Sequence, residues 1–122
     1  MRLKCADGRH ILSISSRSFF RDTRELKPKL NTASVFVKYA KIKDYVSLEQ
    51  YTNHSHYALI VSKKVGNAVV RSKVKRMLRL CLQKQWYSSM RKGYGYVFIA
   101  RKYINDYDNY QQLLDKQKVF KK

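Results

Sequence analysis

The sequence predicts an α+β fold, a two-layer sandwich of helices packed on one face of a sheet with the other face partly free. Three observations carry this. Residues 33–42 (ASVFVKYAKI) alternate in polarity and are rich in β-formers, the period of a strand. Val70, Val74, Met77, Leu78 and Cys81 recur at i, i+4, i+7, i+8 and i+11, one face of an α-helix. Short apolar runs at Tyr57 to Val61 and Tyr96 to Ala100 read as further strands. The patterns follow the order helix, strand or strands, strand, helix, strand, helix, and 122 residues leave room for one core.

Taken in order, residues 1–12 are basic and irregular and read as a flexible arm, with a single domain expected over 13–122. Ser15 and Ser16 are candidate caps for a short helix to about Leu26, carrying Phe19 and Phe20 among arginines. In the strand at 33–42, Val35, Val37 and Tyr39 fall on one face and Phe36, Lys38 and Ala40 on the other. Lys43 to Asn53 reads as a loop and His56 to Ser62 as the next strand. Gly66 ends that run, and Asn67 suits the N-cap of a helix running to Trp86 or Tyr87. Ser88 to Gly95 is a turn, Tyr96 to Arg101 a buried strand, and Asp106 or Asp108 the cap of a last helix carrying Tyr110, Leu113 and Leu114.

The central helix explains the composition. The chain carries 27 Lys and Arg against 8 Asp and Glu, a net charge of +19, which suits a polyanion. Lys63 to Arg79 contains seven of those cations and no acid. Arg71, Ser72, Lys75, Arg76 and Arg79 centre opposite the apolar face, with Lys73 nearer its flank. Like charges at i, i+4 repel, so an unmixed cationic face is better explained by phosphate than by water. Ten Tyr and five Phe among the cations suit single-stranded RNA, whose splayed bases stack on rings.

The stretch KKVGNAVVRSKVKRMLR resembles the signature of the bacterial ribonuclease P protein subunit, matching it at Lys63, Lys64, Gly66, Asn67, Ala68, Val69, Arg71, Lys73, Lys75, Arg76 and Arg79. Ser72 stands where the family usually has Asn. Phe36-Val37-Lys38-Tyr39 is similar to the family's F-V-L-Y strand, and Ala100-Arg101-Lys102 to its A-R-K. The first helix departs most, with Thr23 or Arg24 where a second aromatic is common and Lys27-Pro28-Lys29 in place of a glycine.

The resemblance implies a four-stranded sheet with a short extra strand near Lys29 to Thr32. It also implies a left-handed βαβ crossover, as in the second domain of ribosomal protein S5. It implies that Lys63, Lys64, Asn67, Arg71, Ser72, Lys73, Lys75, Arg76 and Arg79 contact ribonuclease P RNA, one protein to one RNA subunit. A cleft between the first helix and the open sheet face, with Phe20, Tyr39 and, as a further candidate, Phe19, would hold the 5′ leader of precursor tRNA. Catalysis would belong to the RNA subunit and its Mg2+.

The residues themselves point away from protein catalysis. No carboxylate lies between Gln50 and Asn105, although that span holds 12 Lys and Arg. A two-metal nuclease needs several carboxylates converging on the scissile phosphate. His54-x-His56 has the spacing of a metal pair, but no Cys or carboxylate lies near it in sequence, and solvated or RNA-facing imidazoles are expected. No bound cofactor or metal is expected. No apolar run approaches the roughly 20 residues of a membrane span, the N-terminus lacks a secretory core, and a cytoplasmic location follows. Cys5 and Cys81 fit reduced thiols, Cys81 on the apolar helix face. A structural RNA-binding protein shares the charge and size but not the ordered motif. A DNA-reading helix would want a dimer interface that the sequence does not show.

Overall fold

A computed structural model describes residues 2–26, 30–31 and 35–101. Six strands of the described residues form one sheet: β1 (Arg2–Lys4), β2 (His10–Ser13), β3 (Leu30–Asn31), β4 (Val35–Lys41), β5 (His56–Val61) and β6 (Tyr94–Ala100). Their spatial order is β1-β2-β5-β6-β4-β3. Among the described residues three α-helices accompany them: α1 (Arg17–Thr23), α2 (Leu48–Asn53) and α3 (Ala68–Lys84). β6 is the axis of the sheet, parallel to β5 on one side and antiparallel to β4 on the other. The mixed α+β class is therefore as predicted. The last predicted helix and Lys102 lie outside the described residues.

Among the described residues the sheet has six strands where four were expected, and residues 2–12 are paired into it where a flexible arm was expected. Residues 2–13 form a hairpin, β1 antiparallel to β2, and β2 joins β5 in parallel through Leu12–His56 and Ser13–Tyr57. Its core-facing residues are Leu3, Cys5 and Ile11, all buried. The turn is at Asp7-Gly8: Gly8 has φ 94°, and the Arg9 N–H donates to Asp7 Oδ1 at 3.0 Å. Asp-Gly is a hairpin turn signal, hidden here by the surrounding cations. The short strand near residues 29–32 is present as β3, antiparallel to β4.

The helices do not share one face of the sheet. Val35 and Val37 of β4, Tyr57 and Val61 of β5, and Phe98 of β6 pack with Val74, Leu78, Cys81 and Leu82 of α3. Trp86, just past α3, stacks on Phe98 with ring centroids 5.6 Å apart. The alternate residues Ala58 and Val97 pack with Phe19 of α1, Ile14 and Ile42. Because successive strand side chains point to opposite faces, α1 and α3 lie on opposite sides of the sheet. Phe19 is fully buried and so cannot stack on an RNA base.

Local chemistry sets the ends of the elements. Ser16 Oγ accepts from the Phe19 N–H at 3.2 Å and caps α1. The expected loop at 43–53 contains α2, capped by Ser47, whose Oγ accepts from the Gln50 N–H at 3.3 Å. That loop is tied to α1 by Tyr45, whose hydroxyl donates to Asp22 Oδ2 at 2.5 Å and whose ring meets Phe19 edge-on at 5.2 Å. The bond from Tyr45 is the main cause holding the Asp22 carboxyl below its ordinary pKa. Both cysteines are buried free thiols, and burial pushes Cys81 up to about 12, so it serves as core and not as a nucleophile.

Gly95 is the point of closest approach under α1. A Cβ there would stand 2.7 Å from Phe19 Cζ and 3.1 Å from Ile14 Cδ1. Gly95→Ala should destabilise the fold by about 1–3 kcal/mol through overpacking, and Phe19→Ala by about 3–5 kcal/mol through the cavity it leaves. Urea unfolding midpoints measure both. An unchanged midpoint for Gly95→Ala would mean that Phe19 does not sit against β6.

Candidate nucleic-acid interface

The basic stretch leaves β5 through a 3-10 turn, Lys63–Val65, and enters α3 at Asn67. Asn67 Oδ1 accepts from the Val70 N–H at 3.0 Å, the predicted cap. Gly66 is required beside it, since a Cβ there would lie 2.7 Å from Val70 Cγ1. These contacts start the helix in a fixed register, and that register fixes where its cations point. Val74, Leu78, Cys81 and Leu82 face the sheet, while Lys63, Lys64, Asn67, Ser72, Lys73 and Arg76 are exposed. Arg71, Lys75 and Arg79 are half-buried.

All the helix residues singled out in the sequence are thus exposed or half-buried. A shallow hollow of about 260 Å3 lies between Val61, Ala68, Arg71, Ser72 and Lys75. Arg71 Nε is buried there and has no hydrogen-bond partner among the described residues. The ion pairs Arg9–Asp7 and Arg21–Asp22 lie elsewhere on the molecule. Phosphate oxygens would supply both the charge and the acceptors that this surface lacks.

The expected leader cleft is differently composed. Phe20 is half-buried on α1 and lines a hollow of about 240 Å3 with Thr23, Arg24, Lys38, Ile60 and Ile99. Tyr39 does not share it. It lies on the other face of the sheet, 5.2 Å from the Tyr96 ring and 6.2 Å from the Tyr94 ring. The alternation of β4 had already separated Tyr39 from Lys38, but nothing in the sequence says which face α1 covers. Sequence reasoning missed Lys38, whose Nζ donates to the Arg24 carbonyl at 3.0 Å. It also missed the exposed Ile60 and the Phe36 ring, which carries the Arg101 guanidinium 4.0 Å from its centroid.

His56 is not solvated. Its ring is 1 % exposed, and burial, aided by His54, lowers its pKa to about 4. Among the described residues no group of three or more His, Cys, Asp or Glu is placed to hold a metal.

A cationic helix on one side of an α+β sheet, with an apolar, aromatic-edged hollow on the other, is an arrangement suited to a polyanion. A family model described as Ribonuclease P matches residues 10–122, and the chain belongs to that family. The Ribonuclease P protein component of Clostridium botulinum is 44% identical over 64 residues, covering 52% of this chain and 57% of the relative. That of Streptococcus agalactiae is 42% identical over 66 residues, covering 54% and 58%. The chain thus spans just over half the length of the curated relatives it matches. The Staphylococcus aureus RNase P protein superposes with a TM-score of 0.55 at 25% identity over 73% of each chain. The RNase P protein from Thermotoga maritima gives 0.58 at 24% identity over 87% of this chain and 94% of that one, a likeness of fold.

The buried imidazole makes stability depend on pH. A folded-state pKa lowered from 6.5 to about 4 means that the unfolded chain binds a proton which the folded chain refuses. The His56 contribution is complete above pH 6.5 and is lost as pH falls toward 4, by roughly 3 kcal/mol. Unfolding of the protein and of His56→Phe, compared between those pH values, should show the variant losing less. Identical slopes would place the imidazole in water.

Proposed function

We propose that this chain is the protein subunit of ribonuclease P, which removes the 5′ leader of precursor tRNA by an RNA-catalysed endonucleolytic cut. The observation that carries the reading is the α3 surface, which gathers Lys63, Lys64, Arg71, Lys73, Lys75, Arg76 and Arg79 away from any described carboxylate partner. That surface, with Asn67 and Ser72, contacts the catalytic RNA, one protein to one RNA subunit. The α1 hollow takes leader nucleotides, with Phe20 stacking on a base and Lys38 and Arg24 near its phosphates. The RNA subunit and its Mg2+ perform the hydrolysis. The protein reduces repulsion between enzyme RNA and substrate RNA, so less Mg2+ is needed. To the same reading belong a cytoplasmic location, no membrane partner, and the left-handed hand and S5-like character of the β5–α3–β6 crossover.

The deciding experiment is precursor tRNA cleavage at low Mg2+ by a bacterial ribonuclease P RNA, with and without the protein. Cleavage at the mature 5′ end should need the mixture. Cleavage by the protein alone, or no gain from adding it, would overturn the reading. Arg76→Ala should lower the log–log salt slope of RNA binding by about 0.7–0.9 for its one phosphate contact. An unchanged slope would remove Arg76 from the interface. Phe20→Ala should weaken precursor binding by roughly 1–3 kcal/mol, the worth of one stacked base, and leave mature tRNA binding nearly unchanged. Equal losses for the two RNAs would remove Phe20 from the leader path.

A further inference from the structure

On the α1 face of the sheet, beyond the N-terminus of that helix, lies a cavity of about 530 Å3. It is an open cavity bordered by β2, the start of β5, the segment before α1 and the first turn of α2. Its size falls within the roughly 300–1,000 Å3 of small-molecule sites. It is unlike the rest of this surface. In a chain of net charge +19, its lining carries one Arg, Arg2, against one carboxylate, Glu49, with serines, Gln50, His54 and His56 and an apolar strip of Leu12, Ile14 and Val46.

His56 contributes to the wall of this cavity. Neither Nδ1 nor Nε2 has a hydrogen-bond partner among the described residues, a costly state for a ring that is 1 % exposed. The ring is neutral at neutral pH, because burial lowers its pKa to about 4, and a neutral imidazole offers one donor and one acceptor. Ser16 and Ser47 also line the cavity. Their oxygens accept the cap bonds of α1 and α2, which leaves their O–H protons to donate.

We propose that this cavity binds a nucleobase, its ring against Leu12, Ile14 and Val46 and its polar edge toward Glu49, Gln50 and His56. A phosphate would be repelled by the Glu49 carboxylate. A planar heterocycle with alternating donors and acceptors matches neutral partners. Guanine matches best, because it presents two adjacent N–H donors to a carboxylate. His56 and Ile60 lie on the same face of β5, four residues or about 13 Å apart, so cavity and leader hollow share one side of the sheet. The proposal rests on the RNA-binding reading for its source, a base of bound RNA, and a free nucleotide offers the same chemistry.

The test is NMR of the histidine ring signals, of which the chain has three. Guanosine 5′-monophosphate should shift the His56 signals saturably, uridine 5′-monophosphate less, and ribose 5-phosphate not at all. Glu49→Gln, at an exposed position that leaves the core intact, should weaken guanosine monophosphate about tenfold and reduce its preference over uridine. Leader-bearing precursor tRNA should move the same ring signals. A response to RNA assigns the base to RNA; a response to the free nucleotide alone assigns the site to nucleotides in solution. Ring signals unmoved by either ligand, or moved equally by ribose phosphate, would overturn the proposal. The α3 backbone amides report separately on RNA binding, so their silence toward precursor tRNA would refute the RNA reading whatever His56 does.

Discussion

The burial of one side of α3 against the sheet holds the rest of the molecule in place. Val74, Leu78, Cys81 and Leu82 have no exposed surface. Each large apolar side chain so buried contributes about 1.5–3 kcal/mol. Against this stand Arg71 with Lys75 and Lys75 with Arg79, repulsions of roughly 0.2–0.5 kcal/mol per i, i+4 pair. Burial wins by a wide margin. The helix can therefore carry a row of cations that would weaken it in isolation, and its rigidity fixes their spacing. The same packing positions Trp86 on Phe98, linking the end of the helix to the central strand.

What the sequence revealed, and what it did not, divides along a physical line. The Asn67 cap, the apolar stripe of α3 and the alternation of β4 are local, and each appears where the pattern put it. The N-terminal hairpin was missed because its buried positions, Leu3, Cys5 and Ile11, are scattered among exposed cations, and only Asp7-Gly8 marked the turn. The side of the sheet that α1 covers is a tertiary choice. Phe19 makes that choice by fitting over Gly95, and no period in the sequence records it.

The candidate site divides in the same way. Cations on one helix face were legible because helical geometry alone brings them together. The hollow under α1 was only half legible. Phe20 was found, while Lys38 and Ile60 come from strands whose neighbours depend on sheet order. His56 is the sharpest case. As part of a polar His-x-His stretch it reads as a surface residue, yet the pairing of β2 with β5 closes over it. Burial thus gives it a protonation behaviour that its sequence neighbours do not suggest.

The place of β6 has a consequence for how the molecule is made. This strand is late in the chain, yet it lies between β5 and β4 and pairs with both. A ribosome delivers residues in order, so until residues 94–100 have emerged, β4 and β5 have no common partner and α3 has no complete surface to cover. Non-local pairing of this kind is slow, since the intervening loops must close before the contacts repay them. Between the synthesis of Lys84 and that of residues 94–100, the nascent chain therefore carries its most cationic helix incompletely packed. Completion of the surface that α3 covers is thus timed by the arrival of one strand.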